Sequence, residues 1–251
     1  MCLILLAISA HAKYKVVIAA NRDEFYDRPT APAAFWPDAP QLLAGRDLRE
    51  GGTWIGVTTG GRIAAVTNYR NPESVRPGSP SRGNLVSGFL LGKETPVQYL
   101  ERLSRVANKY SGFNLLVGQR EEICWYSNYG KGIRKLSPGI HGLSNHLLDT
   151  PWPKVEKGRQ ALGGILAAEE LSAEKLFQTL MDRDAAPDRS LPDTGVGLQL
   201  ERMLSPVFIA SPGYGTRSST IILMDGNGSI AFAERSFDLQ GGWSDVNFLI
   251  P

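Results

Sequence analysis

Cys2 is the residue whose type and position offer the most chemistry. Removal of Met1, which aminopeptidases carry out ahead of small residues, would leave one residue holding both a thiol and a free α-amine. A thiol of ordinary pKa about 8.5 beside an amine of about 7.7–8.0 puts nucleophile and base in the same residue near neutral pH. The plainer reading of Cys2 is a small apolar side chain packed in a first strand. Asn21-Arg22-Asp23-Glu24 forms the second cluster, four polar residues directly after an apolar run, where a strand end presents functional groups on a rigid scaffold. A guanidinium near the thiol favours thiolate, and a carboxylate can hold and orient the α-amine. A solvated turn with an internal Arg22 to Glu24 ion pair is the alternative. Acyl transfer also needs donors aimed at a developing oxyanion. Asn68 and Asn145, each just past a strand-like run, fit that need, although asparagine is also an ordinary turn former. Arg217, ahead of the last strong strand signal, would pair with a substrate carboxylate, with the Asp23 and Glu24 cluster, or in a structural ion pair.

Other chemistries find little footing. Lys plus Arg (27) barely exceed Asp plus Glu (25), and the charges are scattered, so no nucleic-acid footprint exists. Gly51-Gly52-Thr53-Trp54-Ile55-Gly56 lacks the Lys-Ser/Thr of a phosphate loop. His11, His141 and His146 have no helical zinc spacing, and no cofactor is expected. Cys124, beside Trp125 and Tyr126, reads as a core thiol, and the two cysteines form no CxxC pair or disulfide framework, which fits a reducing compartment. Trp36, Trp54 and Phe35 read as core aromatics or as the mouth of a pocket. The opening MCLILLAISAHA imitates a secretory signal, but no Lys or Arg precedes its short apolar run. No stretch approaches the roughly 20 apolar residues of a membrane helix, so the expected location is cytoplasmic.

The elements that must position these residues follow from hydropathy. Leu3 to Ile8 and Val16 to Ala20 are apolar at consecutive positions, as in strands covered on both faces. Joined as a hairpin with Ser9 opposite Tyr14, they put Cys2 opposite Asn21, beside Arg22 and Asp23. Residues 27–40 carry Pro29, Pro32, Pro37 and Pro40 and predict a long surface loop. Strand signals resume at 42–44, 53–58 and 62–67, then at 113–118 and 123–127, and finally at 219–224 and 229–233 around Asp225-Gly226-Asn227-Gly228. Residues 84–91, 96–108, 152–168 and 173–181 read as helices, and 182–197 as a polar, mobile excursion. The alternation predicts one α+β domain over residues 1–251, two stacked antiparallel sheets flanked by helices as a four-layer αββα sandwich.

The chain resembles the NRDE-motif family, also called the Transport and Golgi Organization family. The likeness is carried by Met1-Cys2, Ala20-Asn21-Arg22-Asp23-Glu24, Arg28-Pro29-Thr30 and Trp36, and continues through Gly45-Arg46-Asp47, Gly51-Gly52-Thr53-Trp54, Thr67-Asn68-Tyr69-Arg70, Ser81-Arg82-Gly83, Leu143-Ser144-Asn145 and Gly215-Thr216-Arg217-Ser218-Ser219-Thr220. The resemblance implies an N-terminal-nucleophile hydrolase fold, similar to the choloylglycine hydrolase and penicillin V acylase branch, which cleaves linear amides. It casts Cys2 as nucleophile, Arg22 and Asp23 as polarising and orienting partners, Asn68 and Asn145 as oxyanion-hole positions, and Arg217 as the closing charge. The branch reads R-N-x-D where this chain reads N-R-D-E, leaving Asp23 and Glu24 as alternatives for the orienting acid. The same resemblance brings a rival, non-enzymatic role in haem or lipid and acyl-CoA binding and trafficking. Haem would have to be ligated by Cys2, a histidine or a tyrosine, as no Cys-x-x-Cys-His occurs.

Overall fold

The computed structural model describes residues 2–120, 122–168 and 171–251, with Cys2 and Ser74 described by their backbone alone. The expected removal of Met1 and the Cys2 thiol itself lie outside the described residues. In chain order the strands are β1 (Cys2–Ile8), β2 (Tyr14–Phe25), β3 (Thr30–Trp36), β4 (Ala39–Asp47), β5 (Ile55–Thr58), β6 (Arg62–Asn68), β7 (Phe113–Gln119), β8 (Glu122–Ser127), β9 (Arg134–Lys135), β10 (Gly139–Leu143), β11 (Ala210–Ser211), β12 (Tyr214–Asp225), β13 (Ile230–Phe237) and β14 (Trp243–Ile250). The helices are α1 (Gly83–Leu91), α2 (Pro96–Ser104), α3 (Pro153–Leu166), α4 (Ala173–Leu180) and the short α5 (Leu198–Met203).

Two antiparallel sheets result, one ordered β10-β1-β2-β12-β13-β14 with β11 on β12, the other β3-β4-β5-β6-β7-β8-β9. Continuous apolar runs become two-sided strands. Ile4, Leu6 and Ile8 of β1 meet Leu43, Val57, Ile63 and Leu116 between the sheets. Leu3, Leu5 and Ala7 pack outward against Val155 and Leu162 of α3 and Phe177 of α4. On the other outer face, Leu42, Ala64, Leu115 and the core thiol Cys124 pack against Phe89 of α1 and Leu100 of α2. The layers are helix, sheet, sheet, helix.

Two local expectations are corrected. The first hairpin is one residue longer in its turn: Ile8 pairs with Val16, and Cys2 stands opposite Arg22, not Asn21. Ser9 takes a positive φ of 48° and donates its N–H to Lys15 O (2.8 Å), while His11 Nδ1 accepts from the N–H groups of Lys13 and Tyr14. A slip of one residue exchanges the faces of a strand. It puts Arg22 on the row between the sheets and sends Asn21 to the helical side, where its amide donates to Leu180 O and Val207 O.

The proline-rich span 27–40 is not a loop, because it contains β3 and the start of β4. β3 is an edge strand, and Pro32 falls inside the register shift between Ala31 and Ala34, where no ladder N–H is required. Residues 182–197 have little regular structure, as expected, but they are tied down: Thr194 donates twice to Glu201 of α5 and Phe208 N–H binds Asp182 O. Strand β14 and helix α5 carried no strong periodic signal and were not anticipated.

Candidate active site

A cavity of about 240 Å³ opens where the end of β2 meets the second sheet, lined by Arg22, Asp23, Glu24, Trp54, Asn68 and Arg82 among others. Its floor is set by backbone packing. A Cβ on Gly52 would lie 2.6 Å from the Gly83 carbonyl carbon, so the Gly-Gly-Thr-Trp turn and the first residue of α1 touch main chain to main chain. Gly45 likewise leaves room for the Trp54 ring. Arg28 grips Asp47 through Nε and Nη2 (2.7 Å), and Asp47 also accepts the N–H groups of Arg49 and Glu50. Burial pushes the Asp47 carboxyl up, but Arg28 and these N–H groups outweigh it and hold the carboxyl below its usual range.

The NRDE residues divide by depth. Arg22 is buried, its guanidinium 4.2 Å from the Trp54 ring centroid and donating to Thr30 Oγ1 (3.1 Å). Asp23 is fully buried and accepts from Thr216 Oγ1 at 2.7 Å. Desolvation raises its pKa, opposed by the nearby Lys154 ammonium, the Thr216 hydrogen bond and Arg70. Glu24 stands at the rim and accepts from the Phe25 N–H (2.9 Å). Of the two acids the inner one is Asp23.

Asn68 ends β6 on the cavity wall. Asn145 is fully buried one step behind: its Nδ2 donates to Asn68 O (3.0 Å), and Arg70 Nη2 reaches its Oδ1 (3.5 Å). Arg70 also forms a buried ion pair with Glu201 and lies 4.8 Å from the Trp152 ring centroid. Because β1 pairs Ile4 with Leu143, continuing that register puts the Cys2 backbone level with Asn145 on one side and Arg22 on the other.

Among the described residues Arg217 pairs with neither Asp23 nor Glu24. A register shift between Thr216 and Ser218 turns it onto the 25–28 turn, where Nη1 donates to the carbonyls of Phe25 (2.9 Å), Tyr26 and Arg28. Among the described residues it has no ion-pair partner. Trp54, which the sequence offered as a core or pocket-mouth aromatic, lines the cavity, whereas Lys154 on α3 and Glu201 were not singled out from sequence. Lys154 is buried where α3 packs on β10 and β1, a tertiary fact that helical periodicity does not carry, and its Nζ donates to Leu204 O (2.9 Å).

No described group of three His, Cys, Asp or Glu side chains can hold a metal ion, and no described helix is long and apolar enough to cross a membrane. A separate cavity of about 510 Å³ holds Tyr69 and His146, the residue types that ligate haem. They do not fit that task as arranged, since Tyr69 Oη and His146 Nε2 bond each other (2.9 Å) and His146 Nδ1 bonds Thr150 Oγ1.

Among solved structures, the chain is similar to a Caenorhabditis elegans N-acylethanolamine-hydrolyzing acid amidase ortholog, with a TM-score of 0.51 at 11% identity over 88% of this chain and 92% of that one. That likeness concerns fold, and with the two stacked sheets and their helical covers it defines an α+β protein of the N-terminal-nucleophile hydrolase fold. Within that class the chain belongs to the Transport and Golgi organisation 2 family, whose model matches residues 1–239. It is 39% identical over 240 residues to the human Transport and Golgi organization protein 2 homolog, covering 89% of this chain and 87% of the relative. The Drosophila melanogaster Transport and Golgi organization protein 2 is 29% identical over 280 residues, covering 98% and 97%.

Proposed function

We propose that the chain is an N-terminal cysteine hydrolase that cleaves a linear amide by acyl transfer. The observation that carries this reading is the register of β1, which sets the Cys2 backbone between Arg22 and the Asn145 end of β10, at the cavity holding Asp23 and Asn68. After loss of Met1, the Cys2 α-amine takes the thiol proton and the sulfur attacks the amide carbonyl. The C–N bond breaks, the leaving amine takes that proton, and water then hydrolyses the thioester to a carboxylic acid and the free thiol. Arg22 favours the thiolate, and Asp23, buried with Lys154 nearby, holds the α-amine. Asn68, on the cavity wall, supplies an oxyanion donor, and Asn145, whose Nδ2 also holds the Asn68 carbonyl, supports it from behind with its remaining N–H directed toward the Cys2 end of β1. Arg217 serves by fixing the 25–28 turn that carries this cluster.

The test is peptide-mapped mass spectrometry of the native protein after brief iodoacetamide treatment across pH, with amide turnover measured beside Cys2→Ala. A mature Cys2 terminus labelled rapidly below about pH 8 is expected. Cys124, whose thiol burial pushes up, stays inert. Turnover is lost in Cys2→Ala. Retained Met1, an unreactive Cys2, or undiminished turnover in the variant overturns the reading.

A further inference from the structure

An open sheet has edges, and an edge strand offers unpaired N–H and C=O groups to any chain that can add to it. The two sheets here end on β10 and β14 and on β3 and β9. Three of these ends are closed off. β9 is two residues long, and both are exposed cations, Arg134 and Lys135. β3 carries Pro32 inside a register shift. β10 is capped by its own chain: the Gly142 N–H donates to Asp149 Oδ1 (2.8 Å), Gly142 O accepts the Asp149 N–H (2.8 Å), and Arg159 donates to Ile140 O.

β14 has none of these protections. Trp243-Ser244-Asp245-Val246-Asn247-Phe248-Leu249-Ile250 contains no Lys, Arg, Pro or Gly, and it pairs with β13 without a register shift from Phe237–Trp243 to Ile230–Ile250. The turn before it fixes which groups face outward. The Asp238 N–H donates to Gly242 O (3.0 Å), so by alternation the even residues of β14 bond to β13, while Trp243, Asp245, Asn247 and Leu249 turn their N–H and C=O away from the sheet. Among the described residues no hydrogen bond reaches those outward groups. The same four side chains are exposed, with an apolar residue at each end of the row: Trp243 is 54% and Leu249 75% exposed. Between them Asp245 is held by Arg235 (2.9 Å).

We propose that β14 is where two copies of this chain join, pairing antiparallel about a two-fold axis at Val246. In that register Trp243 meets Leu249 of the second copy and Asp245 meets Asn247, so outward backbone groups face outward backbone groups, as an antiparallel ladder requires. The neighbouring registers are worse. Sliding one way sets the two Asp245 carboxylates opposite each other, a like-charge pair, and sliding the other way sets Trp243 against Pro251, which has no N–H to give. On the inner face the half-buried Val246 meets its own copy, and Phe248, edge-on to Phe35 of β3 at 5.7 Å between ring centroids, gains cover. A foreign strand would satisfy the backbone, but a second β14 also brings an apolar residue to both Trp243 and Leu249 and a neutral amide to Asp245. Because the other three ends are closed off, the assembly stops at two copies and does not grow into a filament. The pairing asks nothing of the hydrolase chemistry.

Sedimentation velocity of the untagged full chain from micromolar to submillimolar concentration reads the monomer–dimer balance, with hydrogen exchange of the β14 amides followed at both ends of the range. A dimer that grows with concentration is expected, with the Asp245, Asn247 and Leu249 amides protected only within it. Asn247→Asp sets an acid opposite Asp245 twice across the axis and should weaken the dimer about tenfold. Asn247→Lys, at the same exposed position, should tighten it at low salt. Leu249→Lys, which removes the apolar pair with Trp243, should weaken it. Circular dichroism checks that each variant is folded. A monomer at every concentration overturns the proposal and leaves the edge to an extended segment of another protein. A dimer whose β14 amides exchange as in the monomer, or one that Asn247→Asp and Asn247→Lys shift in the same direction, overturns it as well.

Discussion

Asp23 and Glu234 are buried carboxylates on adjoining parts of one sheet, and their surroundings separate their behaviour. Asp23 has Lys154 nearby and a short Thr216 hydrogen bond. For Glu234, desolvation outweighs the Ala33 N–H, Thr220, the Arg22 charge and Ser218, and its pKa is raised from 4.5 to about 6. A carboxyl with a raised folded pKa favours the folded state in its protonated form. Its contribution is therefore complete below pH 4.5 and lost as the pH climbs through about 6. Glu234→Gln removes that titration. Thermal melts from pH 4 to 8 are expected to show the native chain losing stability over this window relative to the variant, by on the order of 2 kcal/mol. Parallel pH profiles for the two proteins would refute the assignment. The sign is opposite to that of Asp47 and Asp149, whose lowered values make them stabilising as the pH rises.

At the scale of elements, the site depends on a main-chain contact between the turn after β4 and the start of α1. Thr53 N–H reaches Gly83 O (3.4 Å), and Gly52 has no room for a side chain against Gly83 and Asn84. Gly52→Ala has to part these segments, with a cost of about 1–3 kcal/mol for overpacking. A fall in melting temperature together with a changed near-ultraviolet signal from Trp54 is the expected result, and an unshifted melt would show that the turn yields freely. This contact also explains what the sequence could reveal. Gly-Gly-Thr-Trp and Ser-Arg-Gly stood out as motifs, but that they touch each other, and that Trp54 thereby lies under Arg22, is a long-range fact. Helices α1 to α4 were legible from apolar spacing, and the structure adds a Thr95 and Gln98 capping box at the start of α2. Strand β3 was hidden because Pro32 tells against a strand unless its edge position is known. The first hairpin's register was missed by one residue because Ser9 at positive φ lengthens the turn, a choice that no apolar pattern encodes. Arg22 and Asp23 were found as chemistry-bearing residues, whereas Lys154, Glu201 and Glu234 were not, since their burial follows from which layers meet.

For the whole molecule, the intersheet core joins both sheets through the same strands that carry the outer cores. Val16 and Ile18 of β2 face the second sheet, while Val17 and Ala19 of the same strand face α3 and α4. Neither sheet can lose its partner without exposing a face of β1, β2 and β12 at once, so residues 1–251 should unfold as one unit. Tryptophans report both halves: Trp125 lies in the intersheet core and Trp152 under α3. Thermal and urea unfolding followed by tryptophan emission and by far-ultraviolet circular dichroism should therefore coincide in a single transition. Separate transitions would mean that the two sheets are independent units. The consequence reaches the site, because Arg22 comes from one sheet and Trp54 from the other. If the sheets melt together, Cys2 alkylation and the Trp54 signal should remain native-like up to that shared transition. The cavity would then be lost only with the fold.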